Sequence, residues 1–408
     1  NFAIGVVTGI VQEFQFGMAW SEYSRYVGDI FGAPLAIEGL VAFFLESTFL
    51  GLWIFGWDRL PKKIHLATIW MVAIGTSLSA YFILAANSWM QHPVGYTINE
   101  ELGRAELTSI LAVLTNSTAV YAFFHVVIGA FATAATVLLA VSAWHLYRER
   151  RVQRGPEHHD VFLKSAKLSL TVMLVASLAT AVVGHFNGQL MTEQQPMKMA
   201  AAEALWETES GAGLSLLTIA PFDKNPERPS FELKIPYLAS FMATDDPNGT
   251  IRGINELQAE YEQKFGPGEY YPIIGLTYWT FRAMMGAGIY MIAFGALGLL
   301  LWKRKVYEKR WFLIGAFLAA ASGYIAHIAG WVFAEVGRQP WVVYGLQKTS
   351  EGVSNISPGT VLTSFIVLVS VYGVMAFIGF KLFLHYVRLG VTEDDTNEAG
   401  ERHLALTY

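Results

Sequence analysis

The sequence predicts an all-α polytopic membrane protein of about eight transmembrane helices with one long extracytoplasmic loop. Three observations predict it. Charged residues make up only 15% of the chain, and 53% is hydrophobic, where soluble domains carry roughly 25% charge. Apolar runs close to the roughly 20 residues that cross a bilayer as a helix recur eight times. The Lys/Arg clusters between those runs all fall on one side, as short cytoplasmic loops require.

The same composition excludes other classes. With 28 Lys+Arg against 33 Asp+Glu and a formal charge of −5, nucleic acid binding has no electrostatic footing. With no Cys there are no disulfides, thiolate metal sites, iron–sulfur clusters or covalently attached c-type haem. Any metal must use His, Met, carboxylate or backbone ligands. The chain opens at Asn1 inside an apolar stretch, which reads as a fragment edge rather than a cleaved signal peptide.

In order, the runs lie near 1–18, 35–57, 66–90, 118–146, 163–186, 274–302, 310–335 and 360–386. Pro34, Pro93, Pro340 and Pro358 sit at or beyond run ends, so continuous helices are expected. Arg59, Lys62 and Lys63 follow the second run. Arg148, Arg150, Arg151, Arg154, Lys164 and Lys167 follow the fourth, and Lys303, Arg304, Lys305, Lys309 and Arg310 the sixth. The opposite short loops hold only Arg25, Arg104, Arg338 and Lys348. The C-terminus is therefore expected in the cytoplasm and 187–273 outside.

That outer segment holds eight of the 14 prolines and thirteen acidic residues against six basic ones. It is longer than a connector needs to be, and Trp206, Phe231, Tyr270 and Tyr271 give it apolar surface to fold on the membrane domain. It reads as a substrate loop. The expected organisation is membrane helices over 1–186, the outer loop over 187–273, membrane helices over 274–386, and a solvated cytoplasmic tail over 387–408 with Glu393, Asp394, Asp395 and Glu398. No internal repeat is visible.

Charges inside spans are costly and mark candidate functional sites: Glu13, Glu38, Glu46, His125, Arg282, His327 and Glu335. On a continuous helix Glu38 and Glu46 lie about 12 Å apart along the axis and within roughly 80° around it, so they can serve one pathway; Glu38 also reads as an interfacial carboxylate. His125 and Met284 lie at similar depth from the outer face. Each alone reads as packing, but a His/Met pair can hold a six-coordinate electron-transfer haem, with Arg282 able to pair a haem propionate. Glu335 ends its span at the outer side, just before Gly337-Arg338-Gln339-Pro340-Trp341.

Several stretches carry a family resemblance: Glu13 to Gly17, Tyr26 to Gly39, Phe43 to Phe49, Gly56 to Arg59, Phe281 to Met284, and Gly337 to Trp341. Over all 408 residues the chain closely resembles subunit I of cytochrome bd-type quinol oxidases, of the short-loop kind. The resemblance implies a terminal oxidase of the bacterial cytoplasmic membrane that oxidises quinol and reduces O2 to water with low-spin haem b, high-spin haem b and haem d. It further implies a partner subunit II and small single-span subunits. By resemblance, His125 and Met284 are the axial ligands of the low-spin haem b, with Arg282 beside them. Glu335 is the ligand of the high-spin haem b, with Arg338, Gln339 and Trp341 at the cofactor. Glu38 is the carboxylate and candidate metal ligand at the haem d oxygen site; Glu46, Ser47 and Ser79 form the proton route to it. Lys198 and Glu203 in the outer loop are the quinol-oxidising pair; without the resemblance they read as charges on a solvated helical turn. The family's first helix, source of the haem d His ligand, has no counterpart before Asn1, and His185 and His327 match no family ligand and read as structural.

Ligands near the outer face place O2 reduction there, so protons must cross from the cytoplasm. Glu46 with Ser79 suits that task, and charge separation then needs no pump. An ion-coupled secondary transporter would also use buried Glu and His, but it predicts inverted repeats and broken helices; a non-catalytic scaffold would leave Glu46 without a reason.

Overall fold

The structure, a computed structural model, describes residues 2–149, 156–219 and 231–391. Arg150, Arg151, Arg154 and the four tail carboxylates lie outside the described residues. The helices are α1 (Phe2–Met18), α2 (Ser21–Ile37), α3 (Phe44–Phe55), α4 (Lys62–Gln91), α5 (Ile110–Leu114), α6 (Ser117–Glu149) and α7 (Pro156–Gln194). They continue as α8 (Pro196–Glu203), α9 (Leu238–Thr244), α10 (Ile254–Phe265), α11 (Ile274–Leu300), α12 (Arg310–Val336), α13 (Thr349–Gly352) and α14 (Pro358–Leu389).

Among the described residues, seven helical stretches are long and apolar enough to cross a membrane, the first running unbroken from Ser21 to Phe55. The remaining expected span, the first in order, is α1, 17 residues long. α6, α7, α11 and α12 pack as a central bundle, with Leu139, Leu146, Leu170, Met173 and Phe312 fully buried. A Cβ on Gly315 of α12 would lie 2.3 Å from the Phe294 ring of α11, so only glycine permits that crossing. No residue of α14 is buried, and Tyr372 ties it to α1 through a 2.7 Å bond to the Thr8 carbonyl. Its apolar surface suits lipid or a partner helix.

Two expectations change. The second span begins at Ser21 rather than near 35, and Pro34 lies inside α2. The 35-residue stretch is about 52 Å long, well beyond a hydrocarbon core of about 30 Å. Its first half packs on the hairpin of strands 96–99 and 104–107, where Asp29 accepts from the Leu107 amide at 2.7 Å. The helix is also not continuous in type: Pro34 cannot donate to the carbonyl four residues earlier, and Glu38–Phe43 is a π-helical segment between α2 and α3. Such segments are rare and frequent at functional sites.

At the opposite end from the basic loops, α8 to α10, α13 and short two-stranded ladders form a cap. α7 continues eight residues past the expected end of its span before α8 begins. The cap has its own core, in which Ile254, Leu257, Tyr270, Tyr278 and Trp341 are buried around α8 and α10. The polar excursion thus folds onto the membrane bundle and encloses the groups described next.

Candidate functional site

A cavity of about 420 Å3 lies between α6, α7, α11 and α12 under the cap, and His125, Met284, Lys198 and Glu203 all reach it. Three glycines shape its walls. A Cβ on Gly184 would come within 3.0 Å of the His125 ring, one on Gly330 within 3.0 Å of the Met284 sulfur, and one on Gly129 within 3.4 Å of the His327 ring. The His125 ring nitrogen Nδ1 lies 3.1 Å from the Thr180 carbonyl oxygen. A carbonyl can only accept, so Nδ1 carries the hydrogen and Nε2 keeps its lone pair, the state a metal-ligating imidazole needs. Among the described residues no cluster of three or more His, Asp or Glu forms a metal site. One imidazole, one thioether and a glycine-lined apolar cavity nevertheless fit a six-coordinate haem.

Arg282 stands on α11 two residues before Met284, and Glu203 ends α8. Its guanidinium donates to the Glu203 carboxylate at 2.7 Å and to the Ser215 carbonyl, and it lies 4.5 Å from the Tyr278 ring centre. Both side chains are buried, at 9% and 3% exposure. Burial pushes the Glu203 carboxyl up, and the Arg282 charge opposes it. One oxygen of Glu203 and one nitrogen of Arg282 stay buried and unpartnered. Such groups are costly, so this pair is built to meet a further polar group. Removing one member of a buried pair costs about 3–5 kcal/mol. Glu203→Ala is therefore expected to lower the thermal midpoint of the purified complex more than Glu203→Gln, which keeps an acceptor for Arg282.

Glu335, at the end of α12, accepts from Asn87 at 3.0 Å and from Arg338. Arg338 is almost fully buried and reaches the Trp341 carbonyl at 3.3 Å. The Gln339 side chain accepts from Thr349 at 2.7 Å. The Arg338 Nη1 and Trp341 Nε1 atoms are buried without a partner. These are unused donors of the kind that an acidic cofactor substituent would satisfy.

Lys198 belongs to this second cluster. Its Nζ donates to Gln91 Oε1 at 2.7 Å. Burial, reinforced by the Arg338 charge and opposed by Glu335, pushes its ammonium down to about 7. Five residues separate Lys198 from Glu203, which on a helix turns them about 140° apart, so α8 presents one to Glu335 and Arg338 and the other to Arg282. The two do not form a contact pair.

The third cluster lies on α4. Ser79 donates to Glu38 at 2.6 Å, and one turn along a Cβ on Gly75 would lie 2.8 Å from the Glu46 side chain, which is 5% exposed. Both carboxylates therefore face one stripe of α4, across the π-helical segment. Ser47 is not part of it: its hydroxyl bonds the Phe44 carbonyl at 3.4 Å on an exposed face. His185 and His327, read from sequence as structural, both line the large cavity. For His327 only Gly129 opposite the ring signals it, and that glycine cannot be paired with the ring before the fold is known.

The family model for cytochrome bd terminal oxidase subunit I matches residues 1–391. The chain is 45% identical over 400 residues to the cytochrome bd ubiquinol oxidase subunit 1 of Bacillus subtilis, covering 98% of this chain and 83% of that one. It is 33% identical over 447 residues to the cytochrome bd-II ubiquinol oxidase subunit 1 of Escherichia coli, covering 96% and 85%. The bd oxidase structure from Geobacillus thermodenitrificans superposes with a TM-score of 0.84 at 30% identity, over 95% of this chain and 85% of that chain. With a family model matched over nearly its whole length, this chain belongs to the cytochrome bd terminal oxidase subunit I family.

Proposed function

We propose that the chain is the cofactor-bearing subunit of a bacterial quinol:O2 oxidoreductase in which quinol is oxidised at the capped, outer end and O2 is reduced to water nearby. In this reading His125 and Met284 hold a low-spin haem b, Glu335 a high-spin haem b, and Glu38 faces the haem d oxygen site. When bound, these groups accept electrons singly and carry them to O2. The observation that carries the reading is that His125, Met284 and Glu203, the last held by Arg282, come together at one cavity, so a proton acceptor for quinol and an electron acceptor share a chamber.

The chain's own part is proton and charge control. Glu203, held by Arg282, takes a proton from a quinol hydroxyl. Lys198 and Arg338 supply positive charge around Glu335. Glu46 and then Glu38 with Ser79 pass protons from the basic, cytoplasmic end toward the oxygen site. Protons leave on one side and enter from the other, so turnover is electrogenic without a pump. A subunit II and small single-span chains would cover the exposed faces of α1, α3 and α14. Membership of an oxidase family leaves the transporter reading of the same carboxylates without support.

The test is the complex reconstituted in sealed vesicles, with outer-face protons counted per electron during quinol oxidation. As many protons as electrons are expected outside, together with a membrane potential. An excess of protons would mean a pump, and a missing potential would remove the transmembrane proton route.

A further inference from the structure

Quinol oxidation breaks two O–H bonds, and the site above supplies one buried acceptor, Glu203, which is 3% exposed. A second acceptor with a way out to solvent is required, and the same cavity contains one. His185, about two and a half turns before the cap end of α7, lines the cavity, and its Nε2 lies 2.9 Å from the Asp245 carboxylate. A carboxylate accepts, so Nε2 carries the hydrogen and Nδ1 is left as the basic nitrogen. Asp245 follows α9 in a left-handed turn (φ 57°), and its amide is anchored to the Phe241 carbonyl at 2.9 Å. Its side chain is 62% exposed against 27% for His185, so the pair leads from the cavity to water. Hydrogen bonds from Gln189 and His185 hold the Asp245 carboxyl below the usual carboxylate range, which keeps an anion beside the ring. Met191, Met199, Met242 and Met285 form one packed wall facing the same cavity. Thioethers are polarizable, conformable neighbours for a flat ring.

We infer that this methionine wall seats the quinol ring and that His185, backed by Asp245, is the second proton acceptor and the outlet to the outer solvent. The inference rests on the quinol-oxidising reading above. The balance closes: one hydroxyl proton goes to Glu203, the other to His185 Nδ1, and the two electrons pass one at a time to the haem held by His125 and Met284, leaving quinone. The imidazolium gives its Nε2 proton past Asp245 to the outer solvent, and a flip of the ring or exchange of the remaining proton from Nδ1 to Nε2 restores the starting tautomer.

The experiment uses the haem-loaded complex with a short-tailed ubiquinol. His185→Gln is expected to lower kcat by about 10- to 100-fold, below the full range for a general base because Glu203 remains. KM and the low-spin haem spectrum stay unchanged and the solvent deuterium isotope effect rises. Asp245→Asn, on an exposed turn where folding is not at stake, lowers kcat less, and Asp245→Glu restores it. Unchanged kcat in both variants overturns the inference, as does a loss confined to KM or a shifted haem band in His185→Gln, which would make the residue a seat for substrate or cofactor. If the unsubstituted complex does not oxidise quinol, the functional reading itself fails; if it does and His185→Gln is silent, only the outlet fails.

Discussion

Replacing His125 with Ala is expected to abolish the low-spin haem signal and to cut quinol-driven O2 consumption by about a thousandfold or more, because the electron entry point is lost. The basis is local. The ring is fixed by the Thr180 carbonyl at 3.1 Å, with its second nitrogen left unprotonated. The opposing Gly184 leaves no room for a side chain beside the ring. A sharper variant leaves both ligands in place: in Gly184→Val, the new side chain begins 3.0 Å from the ring carbon Cε1 and must displace it. A ligand misplaced by such a clash weakens the haem as an absent ligand does, so Gly184→Val is expected to show a shifted or diminished low-spin band. A His125→Ala complex with an unchanged spectrum, read by reduced-minus-oxidised difference, would place the haem elsewhere.

The second large effect is expected at Glu46. A carboxyl that is 5% exposed in a membrane-spanning stretch is costly to keep unless it carries protons. Its seat against Gly75 shows that α4 has been left without a side chain to admit it. Glu46→Gln preserves shape and hydrogen bonding but cannot exchange a proton. Turnover should fall by about 100-fold or more, in the range found for lost acid–base groups, while haem content stays normal and the membrane potential generated in vesicles falls in step. Unchanged turnover and potential would remove Glu46 from the proton route, leaving Glu38 and Ser79 to be supplied from elsewhere.

The spans and the side on which basic loops cluster were legible because bilayer thickness and charge cost act on composition alone. Glu46, His125 and Glu335 stood out for the same reason: an ionisable group in an apolar run is conspicuous without any fold. The π-helical segment was not legible, since Pro34 could equally have ended a helix, and a register change has no composition signature. Lys198 and Glu203 were adjacent in a resemblance but point to different clusters, because a five-residue offset on a helix sets direction and sequence proximity does not. Ser47 points away from α4 for a similar reason: successive helical residues are turned about 100° apart, and Glu46 is the one seated against Gly75. His185 looked structural because its partner, Asp245, lies 60 residues away on a turn whose placement only the folded cap defines. The matching glycines Gly129, Gly184 and Gly330 became meaningful only once the rings and the sulfur opposite them were located.

One cavity in this subunit is proposed to couple quinol to haem and, through it, to O2. The direct measurement is the visible spectrum of the purified complex when quinol is added without air and O2 is then admitted. Quinol is expected to reduce the haem b bands, with a red-shifted chlorin band alongside, and admitted O2 to reoxidise all of them once the added quinol has been consumed. A complex whose haem bands do not respond to quinol, or that contains no haem, would contradict it.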